Sequence, residues 1–174
     1  SDIDLFIKKL SSISINFKFN NKDLISEIYM NNINIEEQIN TLKISEIVSE
    51  IAAIPEIRRE MVKLQRNVDR NMGVVMDGRD IGSVVFPDAD IKLFLTASDS
   101  IRAKRRFDEM ILKGESVKYE SILNNIKNRD KLDSSRLDSP LVVEKDAFVI
   151  DNSKMTINDQ LEVISNIIDK KLFN

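Results

Sequence analysis

Three short apolar runs, Val74-Val75-Met76-Asp77, 91–95 and 148–150, are spread along the chain with long helix-patterned stretches between them. Runs this short, with no polar alternation, suit strands buried on both faces, as in a parallel sheet. Strand alternating with helix restricts the fold to the α/β class, a mainly parallel sheet flanked by helices. The helical stretches carry their own punctuation. Pro55 suits a first turn, Ile57, Met61, Leu64 and Val68 recur at helical spacing, and Gly73 is placed as the C-terminal cap. Ser98 or Asp99 can cap a helix running to 113, which Gly114 ends. Another helix is expected over 119–131. Thr156 and Asp159 form a capping-box start for the last helix, with Leu161, Ile164 and Ile168 facing inward.

The N-terminal stretch follows a different rule. Residues 13–19 alternate Ile13, Ile15, Phe17, Phe19 with polar positions between, a strand signature. Asn20-Asn21 is a turn candidate, and 24–30 can return as the second strand of a small antiparallel unit. A helix is expected over 36–50, with Ile39, Leu42, Ile47 and Ile51 on a loose stripe. Residues 1–45 therefore read as a small lobe, distinct from a core domain over 46–174. A length of 174 residues suits one core carrying a modest insert.

The chain has no Cys and no His. Thiolate nucleophiles, serine triads, disulfides and imidazole or thiolate zinc sites are excluded. Chemistry must run on carboxylates, Arg, Lys, backbone amides and a hard cation, a set that suits phosphoryl transfer. A net charge of −3 argues against a nucleic-acid partner. No apolar run approaches the roughly 20 residues of a membrane span, and no signal-peptide pattern opens the sequence, so a cytoplasmic protein with no membrane partner is expected. All ten Arg fall between Arg58 and Arg136, whereas nine of sixteen Lys lie outside that window. In a chain where Lys is the generic surface cation, clustered Arg points to anions that match a planar bidentate fork.

Three constellations stand out. The segment Asp77-Gly78-Arg79-Asp80-Ile81-Gly82-Ser83-Val84-Val85-Phe86-Pro87-Asp88-Ala89 follows an expected core strand, where open parallel sheets bind ligands. Its glycines permit close backbone approach or positive φ. Arg102, Arg105 and Arg106 share a helix face at i, i+3 and i+4 and repel one another unless an anion sits among them. Arg129, Asp133 and Arg136 can share another face. Spacing alone leaves the bland alternatives open: a tight turn with a surface ion pair, a basic face neutralised by Asp108 and Glu109, and an ordinary i,i+4 pair.

Taken with Ala52-Ala53-Ile54-Pro55-Glu56-Ile57-Arg58, Gln65-Arg66, Lys92-Leu93-Phe94-Leu95-Thr96-Ala97-Ser98, Ser139-Pro140-Leu141, Lys145-Asp146-Ala147 and Ile150-Asp151, these segments resemble bacterial cytidylate kinases from about Ser45 to the C-terminus. The resemblance implies a P-loop-kinase-like fold with a small antiparallel CMP-binding insert, and transfer of a phosphoryl group from ATP to CMP, and to dCMP. It makes Ser49, Arg58 and Asp80 the cytosine readers. Arg79 and Arg136 would hold the CMP phosphate, and Arg129 with Asp133 the ribose. Asp77 would act on Mg²⁺ through its water shell, since magnesium dehydrates reluctantly. Arg102, Arg105 and Arg106 would belong to a lid, about 98–136, that closes over ATP. A monomer is expected.

Two departures stand beside the resemblance. Related enzymes carry Ile-Arg-Thr where this chain has Ile39-Asn40-Thr41. The glycines Gly73, Gly78, Gly82 and Gly114 form no G-x-x-x-x-G-K-S/T loop to cradle ATP phosphates. That loop is expected upstream of Ser1, and the chain without it is expected not to catalyse. A non-catalytic CMP-binding homologue is the alternative.

Overall fold

The structure, a computed structural model, describes residues 2–10, 12–21, 25–67 and 73–173. They fall into two compact units, Ser1–Lys63 and Leu64–Asn174.

The first unit opens with a helix that the sequence reading did not anticipate, α1 (Asp2–Leu10). Strands β1 (Ile15–Asn20) and β2 (Ile25–Met30) pair antiparallel in the register Ile15↔Met30 to Asn20↔Ile25. The expected start of the second strand at 24 lies outside the described residues, as does most of the turn after Asn21. A third strand, β3 (Ile33–Asn34), folds back on β2. The turn uses positive φ at both Asn31 (50°) and Asn32 (67°), which Asn tolerates better than most residues. One face of this sheet is a polar network. Glu27 accepts hydrogen bonds from Asn20, Tyr29 and Asn34, and the Lys18 ammonium lies 4.2 Å over the Tyr29 ring. Ile15, Phe17 and Phe19 of β1 are exposed, so this strand keeps its alternation without a buried face.

The single helix expected over 36–50 is two helices, α2 (Glu36–Ile39) and α3 (Leu42–Ala52). Asn40 turns its amide back onto the Glu36 carbonyl at 2.8 Å, and Thr41 Oγ1 accepts from the Ile44 N–H at 3.3 Å. Local side-chain bonds of this kind end one helix and cap the next. Helix α4 (Pro55–Arg66) begins on its proline as expected but stops at Arg66, well before Gly73, which has a φ of +79° in unpaired coil. Val68 lies outside the described residues.

The second unit corrects the expected first core strand. Residues 73–77 are unpaired coil, with Val74 and Val75 exposed. The parallel sheet contains β4 (Leu93–Thr96) and β5 (Phe148–Asp151), in the register Leu93↔Phe148 to Thr96↔Asp151. Between them lie α5 (Asp99–Leu112) and α6 (Tyr119–Ser135), which pack on each other with Phe107 edge-on to Tyr119 at 6.3 Å. Ser98 caps α5 by accepting from the Ile101 N–H, and Gly114 leaves it at φ +80°, both as expected. Helix α6 runs four residues past its expected end at 131, which brings Asp133 onto the helix and makes Arg136 its C-cap. Val85, Phe86, Ala103, Met110, Ile122 and Ile150 are buried. The last helix, α7 (Ile157–Leu172), has its full capping box between Thr156 and Asp159. Its apolar stripe does not become core: Leu161 is exposed, and Ile164 and Ile168 are only half-buried.

Candidate nucleotide site

The segment after residue 77 is neither a strand extension nor a simple tight turn. From Ile81 to Val85 it makes one wide helical turn, in which Val85 N–H donates to the Asp80 carbonyl at 3.2 Å and Phe86 N–H to the Ile81 carbonyl at 2.7 Å. These i→i+5 bonds are rare and often mark functional sites. Arg66, from the end of α4, closes the turn by donating to the carbonyls of Val84 (2.5 Å) and Val85 (3.0 Å). Neither glycine of this segment uses positive φ. Gly78 serves close approach, since a Cβ there would sit 2.8 Å from the Ile81 side chain, while one on Gly82 would be tight at 3.3 Å from the Lys92 side chain. Lys92 is in turn fixed by Asp146 at 2.9 Å.

The turn presents Asp80 buried and Arg79 partly exposed. Two carboxylates of α6, one helical turn apart, grip Arg79. Asp130 Oδ1 accepts from its Nη1 at 2.8 Å, and Asp133 Oδ2 lies 3.3 Å from its Nε. Asp133 is only 2% exposed and gathers two further guanidiniums, Arg136 (Nη1 to Oδ1, 3.1 Å) and Arg129 (Nε to Oδ2, 3.7 Å). Neither Asp133 Oδ2 nor the buried Arg129 Nε has a hydrogen-bond partner among the described residues. Asp133 is thus shared by three cations, one of which also holds Asp130, and its Oδ2 keeps acceptor capacity to spare. Burial, followed by the neighbouring charge of Arg79, lowers the proton affinity of Arg129, while Asp133 and Asp130 oppose that shift.

The α5 cations are held apart from one another. Arg102 donates through Nη2 to both Asp99 and Asp130 (2.5 Å to Asp130) and through Nε to the Ala97 carbonyl at 3.1 Å. The Asp130 hydrogen bond, set against burial, strengthens its protonation. Arg105 reaches Asn152, with Nη1 at 2.9 Å from the side-chain oxygen and Nη2 at 2.7 Å from the carbonyl. Arg106 pairs with Glu109 at 3.1 Å. Glu109 is kept below the ordinary carboxylate range first by a hydrogen bond from Lys113, and further by Arg106. Burial opposes the charge on Asp130, but hydrogen bonds from Arg102 and Arg79 outweigh it and depress its proton affinity.

The second unit therefore brings together Arg79, Arg102, Arg129, Asp133 and Arg136. Arg105 and Arg106 stand on the same helix as Arg102 with separate partners. Arg58 is buried on α4, Ser49 lies on α3, and Asp77 is exposed. Among the described residues no group of three or more acidic side chains could hold a metal ion unaided. No described helix is long and apolar enough to cross a membrane. The sequence motif that runs from Arg129-Asp130 to Arg136 gives Asp130 no role of its own, and Asn152 is not singled out by any motif. Asp130 had a legible signal, since it stands three residues before Asp133 and therefore on the same helix face. Asn152 had none, because only the parallel pairing of β4 and β5 brings it beside α5.

The cytidylate kinase family model matches residues 1–170, so the match extends over the N-terminal lobe as well. The chain is 45% identical over 163 residues to the cytidylate kinase of Flavobacterium psychrophilum, covering 94% of this chain and 72% of the relative. For the Flavobacterium johnsoniae cytidylate kinase the figures are 43% over 166 residues, 95% and 72%. For that of Cytophaga hutchinsonii they are 44% over 163 residues, 94% and 70%.

Proposed function

The chain belongs to the cytidylate kinase family, nucleotide-binding transferases of the nucleoside monophosphate kinase class, and from that premise we propose that it serves transfer of the ATP γ-phosphoryl group to CMP and dCMP. The observation that carries the reading is the sharing of buried Asp133 by Arg79, Arg129 and Arg136. Arg79 and Arg136 bind the CMP phosphate. Its dianion adds negative charge beside guanidiniums that share Asp133, in the bidentate geometry that suits a guanidinium. The ribose lies against Arg129 and Asp133, where a sugar hydroxyl donates to the Oδ2 that accepts no other hydrogen bond.

Cytosine is read by Ser49, Arg58 and Asp80. Its O2 and N3 are acceptors and its N4 amino group a donor, so a guanidinium and a carboxylate are the matching pair. Arg102, Arg105 and Arg106, in a lid over about 98–136, stabilise charge on the transferring group. Residues 1–45 form the CMP-binding lobe and 46–174 the core. Mg²⁺ arrives with the nucleotide phosphates and keeps most of its water, with Asp77 as the protein carboxylate acting on that shell. This fits a cation rarely held in all-protein cages. The protein works as a cytoplasmic monomer.

Residues 1–174 contain no G-x-x-x-x-G-K-S/T loop and by themselves bind CMP without phosphorylating it. The test is a coupled assay on the intact gene product with ATP and Mg²⁺, comparing CMP with UMP, AMP and GMP. CMP is expected to be preferred. In Asp80→Asn, which offers a donor where cytosine needs an acceptor, the CMP-to-UMP ratio of kcat/KM should narrow by about tenfold, roughly 1.4 kcal/mol. Equal use of UMP by the wild type contradicts the reading. CMP binding without turnover by the intact product would favour the non-catalytic homologue, for which the missing loop motif is the motivating observation.

A further inference from the structure

Asp130 spans two groups that the reading above assigns to different tasks. Its Oδ1 accepts from Arg79, 51 residues away in the chain, and its Oδ2 from Arg102, 28 residues away. Each guanidinium is braced at a second point, Arg79 through Nε by Asp133 and Arg102 by Asp99 and the Ala97 carbonyl. Among the described residues this leaves Arg79 Nη2 and Arg102 Nη1 without hydrogen bonds. A carboxylate is the one side chain that can accept from two cations at once while cancelling their repulsion. An isolated ion pair at this exposure would be worth about 1 kcal/mol or less, too little to call for such a bridge on stability alone.

We propose that Asp130 is a positioning residue: it fixes Arg102 of the lid relative to Arg79, so that the unused guanidinium nitrogens of both are presented to the reacting phosphates together. The proposal rests on the assignment of Arg79 to the CMP phosphate and of Arg102 to the transferring group. Asp130 touches neither substrate. It acts by keeping two cations at a set spacing, and small displacements of such groups are costly in rate.

The test uses the intact gene product with ATP, Mg²⁺ and CMP. Asp130→Asn keeps one acceptor oxygen and turns an amide NH₂ toward the other guanidinium. It should lower kcat by roughly ten- to a hundredfold with little change in KM for CMP. Asp130→Glu should restore most of the lost kcat, and Asp108→Asn, on the exposed side of α5, should leave it unchanged. In an Arg102→Ala background the kcat loss caused by Asp130→Asn should largely disappear. The same fold loss in that background, or a loss confined to KM, would overturn the proposal. Should Asp130→Asn not fold, a cycle of Arg79→Lys against Arg102→Lys with Asp130 in place must show non-additive kcat losses, and additive losses overturn it equally. A wild-type protein that does not phosphorylate CMP would bring down the kinase reading itself, and this inference with it.

Discussion

Two groups of arginines in the second unit are built on opposite plans. Arg79, Arg129 and Arg136 converge on one buried carboxylate, Asp133, supplied by the last turn of α6. Arg105 and Arg106 lie along α5, each satisfied by its own partner, Asn152 or Glu109. Burial of Asp133 and Arg136 makes the first group depend on that carboxylate, because an uncompensated buried charge is far costlier than an exposed one. The second group stands free of such dependence and can exchange a weak partner for a phosphate at little cost. A site that must hold one substrate firmly and meet another transiently is well served by one group of each kind.

The comparison breaks first at Asp133. Asp133→Ala removes the carboxylate that Arg79, Arg129 and Arg136 share and should lower the unfolding free energy by about 3–5 kcal/mol in urea titration. Arg105→Ala should cost no more than about 1 kcal/mol by the same measurement. Equal losses would mean that the two groups do not differ as described. The order reverses in kinetics among well-folded variants. Arg105→Ala or Arg106→Ala in the intact product should reduce kcat by about 2.7–4 kcal/mol of transition-state stabilisation while CMP binding persists. Near-normal kcat would make this face a solvated one.

A smaller effect sharpens the boundary between the groups, at Asp130. Its proton affinity is depressed in the folded state, so its contribution to stability is fully present above the ordinary Asp value of about 3.9 and is lost as pH falls through the lower folded value. Stability measured against pH should therefore drop less steeply below about pH 4 in Asp130→Asn than in the wild type. Identical slopes would show that Asp130 is not held by its two arginines.

How much of this was legible in the sequence depended on the range of the interactions. Caps such as Ser98, Thr156 with Asp159, and Gly114 act within a few residues and were read correctly. The arginine groups were legible as spacing, because helix periodicity places 129, 133 and 136 together. The run 74–77 misled because apolar content specifies burial only when a neighbouring strand is there to pair with, and none of the described strands does. The break between α2 and α3 turned on side-chain bonds from Asn40 and Thr41, which compete locally with a helix that the apolar stripe would have continued. Asp130 was passed over because its role is defined by two partners distant in sequence.

The central claim is that the group gathered on Asp133, and not the one along α5, holds the CMP phosphate. Calorimetric affinities for CMP and for cytidine, measured on the wild type, Arg79→Ala and Arg105→Ala, test it most directly. The wild type should favour CMP by about tenfold or more, the worth of a charge-assisted hydrogen bond. That preference should collapse in Arg79→Ala and survive in Arg105→Ala. A CMP-over-cytidine ratio that survives the loss of Arg79, or that vanishes with Arg105, would contradict the account.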